Sequence, residues 1–181
     1  MRIISGKYRG RRINPPAGFR ARPTTDFARE SLFNILTGRC DFEDMAVLDL
    51  FSGTGSIGLE FASRGCRIVD MVENNHRHYT FIKDTLSIFD LPGSRVFHSN
   101  VKSFLKGALI KYDLVFADPP YDLEWLTEIP DLVLGAGIMN NDGVFILEHP
   151  KRISFGNHQC FSEQRKYGNV NFTFFKQTEK E

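Results

Sequence analysis

One stretch limits the architecture more than any other. Ala46-Val47-Leu48-Asp49-Leu50-Phe51 runs directly into Ser52-Gly53-Thr54-Gly55-Ser56-Ile57-Gly58. The first half is an apolar run of strand length, the pattern of a strand buried on both faces. The glycines that follow let the backbone approach a ligand, and helical spacing resumes through Leu59, Phe61 and Ala62 until Gly65. Further strand-like runs lie at 67–72, 95–98, 113–117 and 143–148, separated by helical stretches at 75–90, 99–105 and 124–134, with another at 27–36. The tail differs. Residues 159–167 and 169–177 form two runs joined near Gly168, with no room for a crossover helix, so they pair antiparallel. The expected fold is α/β: a doubly wound, seven-stranded, mostly parallel sheet whose last strand is inserted antiparallel.

A chain of 181 residues supports one full core and is short for two. No apolar stretch has the length of a membrane span or signal-peptide core. Cys40, Cys66 and Cys160 are odd in number and widely spaced, which argues against a disulfide framework or a zinc site and points to a reducing cytoplasm. The net charge of +1 hides an asymmetry. Residues 1–25 contain Arg2, Lys7, Arg9, Arg11, Arg12, Arg20 and Arg22 without a single acid, whereas residues 26–181 are net acidic. A basic arm on an acidic body is the expected footprint of a polyanion contact. The arm reads as a small β-hairpin extension turning at Arg9-Gly10, with Pro15-Pro16-Ala17-Gly18 as a break before a domain at 26–181.

Asp118-Pro119-Pro120-Tyr121 follows the strand-like run 112–117. Two prolines end a strand because neither can donate to the ladder, and they stiffen the turn that carries the acid and the aromatic ring. At the C-terminal edge of an open sheet, such a turn meets ligands. Acceptors on Asp118 and on the carbonyl of Pro119, beside the flat face of Tyr121, suit a planar ring bearing an exocyclic amine. Glu73 ends the second strand 20 residues after Gly53, the spacing at which an acid meets a ribose diol. Gly53-Thr54-Gly55-Ser56-Ile57-Gly58 also fits a nicotinamide-binding loop. Asp49 inside the preceding strand would repel a pyrophosphate, but it suits the cationic S-adenosylmethionine.

The order Asp49, Gly53-Thr54-Gly55, Glu73, Asn100 and Asp118-Pro119-Pro120-Tyr121 resembles the class I, Rossmann-like methyltransferases that modify exocyclic amines. More closely, the chain resembles the RsmD family of 16S ribosomal RNA guanine-N2 methyltransferases. The resemblance is carried by Arg2 to Arg11, by Arg22-Pro23-Thr24-Thr25-Asp26 with Arg29-Glu30 and Leu32-Phe33-Asn34, and by Leu48 to Gly55. Ser99-Asn100-Val101 and the Asp-Pro-Pro-Tyr turn complete it. It implies Asp118, Pro119 and Tyr121 as catalytic residues. Asp49, Phe51, Gly53, Thr54, Gly55, Glu73, Asn74, Asn100 and Val101 would hold S-adenosylmethionine, leaving S-adenosylhomocysteine as product. Lys7, Arg9, Arg11, Arg12, Arg20 and Arg22 would contact RNA. The implied partner is small-subunit ribosomal RNA within a largely assembled particle, met by a monomer without a metal.

Arg22, Thr24, Thr25, Asp26 and Arg29 are expected to border the cleft, with Arg29 and Glu30 exposed on the first helix. Glu148-His149 ends the fifth strand, where either residue could line the pocket. Trp125 reads as a helix anchor, His76 and His78 as a solvated helix start, and Phe172, Phe174 and Phe175 as hairpin packing. The rivals are amine methylation of DNA adenine or cytosine or of a protein glutamine, a nonenzymatic RNA-binding module, and a dehydrogenase. The absence of a target-recognition insertion counts against DNA, and the arginine-rich arm counts against a protein substrate.

Overall fold

The computed structural model describes residues 1–16, 19 and 26–176. Strand β1 (Ala46–Leu50) is buried at every position, and it lies between β2 (Ile68–Glu73) and β4 (Tyr112–Ala117), parallel to both. β3 (Ser94–His98) extends the sheet beyond β2, and β5 (Met139–Pro150) extends it beyond β4. β7 (Val170–Lys176) then inserts antiparallel between β5 and β6 (Phe161–Tyr167). The order is therefore β3-β2-β1-β4-β5-β7-β6. Both the seven strands and the inserted last strand match the reading of the sequence.

The two-residue period of the strands divides the core. Val47 packs with α1 (Asp26–Thr37), α2 (Ser56–Ser63) and α3 (His76–Phe89) through Leu32, Phe33, Leu59, Phe61 and Ile82. Leu48 and Leu50 face the other way, toward α4 (Val101–Gly107) and α5 (Ile129–Gly135), onto Val101, Leu105, Ile129 and Val133. Alternation therefore turns Asp49 toward the α2 side. Because β2 follows β1 to one side and β4 pairs on its other side, the order reverses at β1/β4. A crevice opens there beyond the strand ends. No helix among the described residues is long and apolar enough to cross a membrane.

Local chemistry shifts several boundaries. Instead of one helix over 124–134, Leu126–Glu128 forms a 3₁₀ turn and α5 starts at Ile129. Pro130 then sits in the first helical turn, where its missing N–H costs nothing. β5 begins at Met139, four residues before the expected Gly143, and its register with β4 slips between Tyr112 and Leu114.

The arm is not two strands turning at Arg9-Gly10. A single bridge pairs Arg2 with Arg12, and the Ile3 N–H donates to the Arg11 carbonyl at 3.0 Å. The turn occupies residues 5–10 and is docked on α2. The Glu60 carboxylate accepts the N–H groups of Ile4 (2.7 Å) and Ser5 (3.0 Å). The Lys7 N–H donates to the Ser63 carbonyl at 2.7 Å. At Gly6, φ is +78° and a Cβ would lie 1.8 Å from that same carbonyl oxygen, so only glycine fits. Ile3 and Ile13 are buried in the α1–α3 core.

Candidate active site

The crevice at the β1/β4 reversal is a cleft of about 1240 Å³. Its floor is the loop after β1. There Phe51 (φ 60°), Gly53 (φ 55°) and Gly55 (φ 75°) all take left-handed backbone, which turns the chain sharply from strand into helix. The Ser52 hydroxyl donates to the Asp49 carbonyl at 2.7 Å and closes the turn. Gly53 donates its N–H to Glu73 Oε2 at 2.7 Å, and Asn75 donates its own to Glu73 Oε1 at 2.7 Å. One carboxylate therefore joins the glycine loop to the β2–α3 turn. Each of its oxygens keeps a second lone-pair site for an incoming hydroxyl.

Asp49 lies beneath this loop, 2% exposed, and its Oδ2 accepts the Gly58 N–H at 2.9 Å. Burial pushes its carboxyl up to about 7. Hydrogen bonds from Gly58 and Ser52 pull the other way, and the Glu73 charge adds to the rise. A cation bound over the loop would relieve that cost. Asn100 caps α4, its side-chain oxygen accepting the Ser103 N–H at 2.9 Å.

Across the crevice, the Asp118 N–H reaches the Leu50 carbonyl at 3.4 Å and ties the ends of β1 and β4 together. Pro119 is buried, while Asp118 and Tyr121 are half-buried. The Tyr121 hydroxyl donates to Glu148 Oε1 at 3.0 Å, and Arg152 donates to the Tyr121 carbonyl.

Asp49, Phe51, Gly53, Thr54, Glu73, Asn74, Asn100, Val101, Asp118, Pro119 and Tyr121 all line this one cleft. Gly55 does not. It sits behind the loop as the N-cap of α2, where a Cβ would press on Ile82 at 3.1 Å and Leu59 at 3.3 Å, so its role is backbone geometry. Lys7, Arg9, Arg11 and Arg12 are exposed and away from the cleft lining. Arg20, Arg22, Thr24 and Thr25 lie outside the described residues.

Further readings need correction. Arg29 is 2% exposed, not on a solvated face. Its guanidinium donates to the Arg2 carbonyl at 2.7 Å and to Asp26 at 2.9 Å, fastening the arm to α1. Neither Asp26 nor Arg29 lines the cleft. The reading of His76 and His78 as a solvated helix start holds, since α3 begins at His76 and that residue is exposed, and both also line the cleft. Trp125 is a cleft wall as well as an anchor, its ring 4.3 Å from the Lys102 ammonium. Of the pair ending β5, Glu148 faces the cleft. His149 is fully buried against Phe155 and bonded to the Thr173 hydroxyl at 2.7 Å. Phe27 and the Tyr167–Val170 turn also line the cleft, although nothing local in the sequence marks them. They arrive from α1 and from the end of the β6–β7 hairpin.

A family model described as conserved hypothetical protein 95 matches residues 1–176. Ribosomal RNA small subunit methyltransferase D of Escherichia coli K12 is 33% identical over 148 residues, covering 82% of this chain and 74% of that one. The chain belongs to the RsmD family. The family member of that name from Buchnera aphidicola (strain Bp) is 27% identical over 179 residues, covering 97% of this chain and 91% of its own. A solved Thermus thermophilus protein superposes with a TM-score of 0.86 at 30% identity, over 98% of this chain and 99% of its own. The matched region thus takes in the arm as well as the sheet, so family membership extends to the docked turn on α2.

Proposed function

We propose that the cleft transfers a methyl group from S-adenosylmethionine to the exocyclic N2 amine of a guanine in small-subunit ribosomal RNA. The observation that carries this reading is a single cleft in which the Asp118-Pro119-Pro120-Tyr121 turn faces the Gly53 loop and Glu73. Relatives named ribosomal RNA small subunit methyltransferase D support the substrate class.

The residues present fit the cofactor. Glu73 offers lone pairs for a ribose diol, Asp49 offers negative charge beneath the loop, and Asn100-Val101 on the cleft lining would border the adenine. S-adenosylmethionine supplies an electrophilic methyl on a sulfonium, so no further activation of the leaving group is needed.

The chain's own work falls on the amine. A guanine amino nitrogen is a poor nucleophile because its lone pair is delocalised into the ring. Asp118 and the Pro119 carbonyl accept its two N–H bonds, which favours a pyramidal nitrogen and aims the lone pair into the cleft. Nitrogen bonds to the methyl carbon as the carbon–sulfur bond breaks, and that electron pair stays on sulfur. The nitrogen then releases one proton, with the Asp118 carboxylate as first acceptor. Tyr121 stacks on the extruded base, a contact worth roughly 1–3 kcal/mol on other base platforms. Orientation and fixed charges supply most of the rate. Exposed Lys7, Arg9, Arg11 and Arg12 hold phosphates of the RNA, and the protein acts as a monomer on an assembled small subunit.

The direct test is transfer of labelled methyl from S-adenosylmethionine to small subunits lacking the modification, followed by nucleoside analysis. The expected product is N2-methylguanosine. Label in another base, in protein, or nowhere refutes the proposal.

A further inference from the structure

We propose that Phe27, propped on Tyr167, is a stacking platform for the nucleotide next to the target guanine, an inference that rests on the methyl-transfer reading of the cleft. α1 buries Ala28, Leu32, Phe33 and Leu36. Phe27 falls outside that stripe and shares its face with Glu30, Ser31 and Asn34 at helical spacing. Packing of the helix therefore does not call for an aromatic ring at this position. The ring is 66% exposed. Among the described residues Phe27, Ile88 and Leu109 are the exposed large apolar side chains, and of these only Phe27 lines the cleft.

Topology puts this ring on the substrate half of the cleft. The residues proposed for the cofactor follow β1, β2 and β3, whereas β7 lies on the other side, beyond β4 and β5. Val170 pairs with Pro150 at the end of β5, so the Tyr167–Val170 turn stands at the same sheet edge as the Asp118 turn. The two turns are separated by two strand spacings, about 10 Å. Phe27 meets the Tyr167 ring edge-on, with centroids 6.2 Å apart and planes at 73°. Tyr167 is backed in turn by the fully buried Phe172, centroids 5.9 Å apart. Phe27 is thus held from behind while most of its surface faces water. Exposed Lys151 and Arg152 follow β5 directly at this rim, and Arg152 donates to the Tyr121 carbonyl.

These parts suit single-stranded RNA. A guanine that leaves its stack to reach Asp118 strips its neighbour of one stacking face. An exposed aromatic ring one nucleotide away restores that face, and it does so for any base because every base has a π-face. The two cations beside it can take the phosphates on either side of the stacked base.

The test follows steady-state methyl transfer to small subunits lacking the modification. Phe27→Ala should raise KM for the subunit roughly 5- to 30-fold and leave kcat within about two-fold, because a stacking contact is made equally in the ground and transition states. Phe27→Trp should hold the wild-type KM or lower it. Phe27→Leu keeps apolar bulk without a flat face and should behave like Phe27→Ala. Subunits reconstituted with an abasic nucleotide on one side of the target or the other complete a cycle. At one of the two positions wild-type enzyme should lose the same factor, and Phe27→Ala should lose nothing more. S-adenosylhomocysteine affinity, measured calorimetrically, should stay within about two-fold of wild type in every variant. An unchanged KM in Phe27→Ala overturns the proposal. So do abasic and Phe27→Ala losses that multiply at both positions, and so does a loss of S-adenosylhomocysteine affinity in both Phe27→Ala and Phe27→Leu, which would put the ring on the cofactor. Wild-type enzyme inactive on intact subunits would instead remove the underlying reading, and this one with it.

Discussion

Replacing Asp49 by asparagine separates two demands placed on one buried carboxylate. Asparagine keeps an oxygen for the Gly58 N–H, 2.9 Å away in the wild type, and removes the charge. Burial lifts the Asp49 carboxyl from 3.8 to about 7. Its folded pKa thus lies above its unfolded value, and the folded chain holds the proton more tightly. Stability from this group is greatest when it is protonated in both states, declines as pH rises from about 4 to about 7, and is level above that. At about 1.4 kcal/mol per unit, the ionised form costs the fold on the order of 4 kcal/mol at pH 8. Asp49→Asn should therefore exceed the wild type in stability by up to about 4 kcal/mol at pH 8, roughly 10 °C in Tm. The gap should shrink toward zero near pH 4. Urea unfolding of both proteins at pH 5 and pH 8 measures it. Burial lowers the His149 pKa, so that residue removes stability as pH falls through the mid-range, but it is common to both proteins and cancels in the difference. A stability gap that is the same at both pH values would refute the argument. The gain should be offset in function: wild-type affinity for S-adenosylmethionine should rise with pH through about 7, and that rise should vanish in Asp49→Asn.

Asp118→Ala should abolish methyl transfer while leaving S-adenosylhomocysteine affinity within about two-fold, because binding energy realised only in the transition state is what is lost; normal turnover would remove Asp118 from the mechanism. Gly58→Ala should destabilise by about 1–3 kcal/mol, seen in thermal unfolding, since its Cβ would lie 2.5 Å from Met71 Sδ and 3.1 Å from Asp49 Oδ2. Neutralising Arg9, Arg11 and Arg12 together should reduce the slope of log affinity against log salt by about 2–3 for the RNA substrate. An unchanged slope would make the arm structural only.

The fold was legible because its signals are local. Strands buried on both faces read as continuous apolar runs, and the glycines after β1 mark a backbone turn that few other residues tolerate. The acid at the end of β2 and the proline-stiffened turn after β4 were visible for the same reason: a parallel sheet delivers all its strand ends to one edge, so residues that end strands converge. Arg29 shows where local reading fails. Its place on α1 reads as solvated, yet it is buried because the Arg2 carbonyl, from the remote arm, needs a donor.

Sequence alone thus determined the layering, the strand directions and the core of the cleft-lining set, all consequences of hydrophobic period and turn chemistry acting over a few residues. Tertiary structure alone decided that Glu148 rather than His149 meets the cleft, that Glu73 ties two loops together, and that the arm rests on Glu60. Those outcomes depend on register between strands and on donors and acceptors brought together from distant segments, and the order of residues along one strand carries no record of what packs beside it.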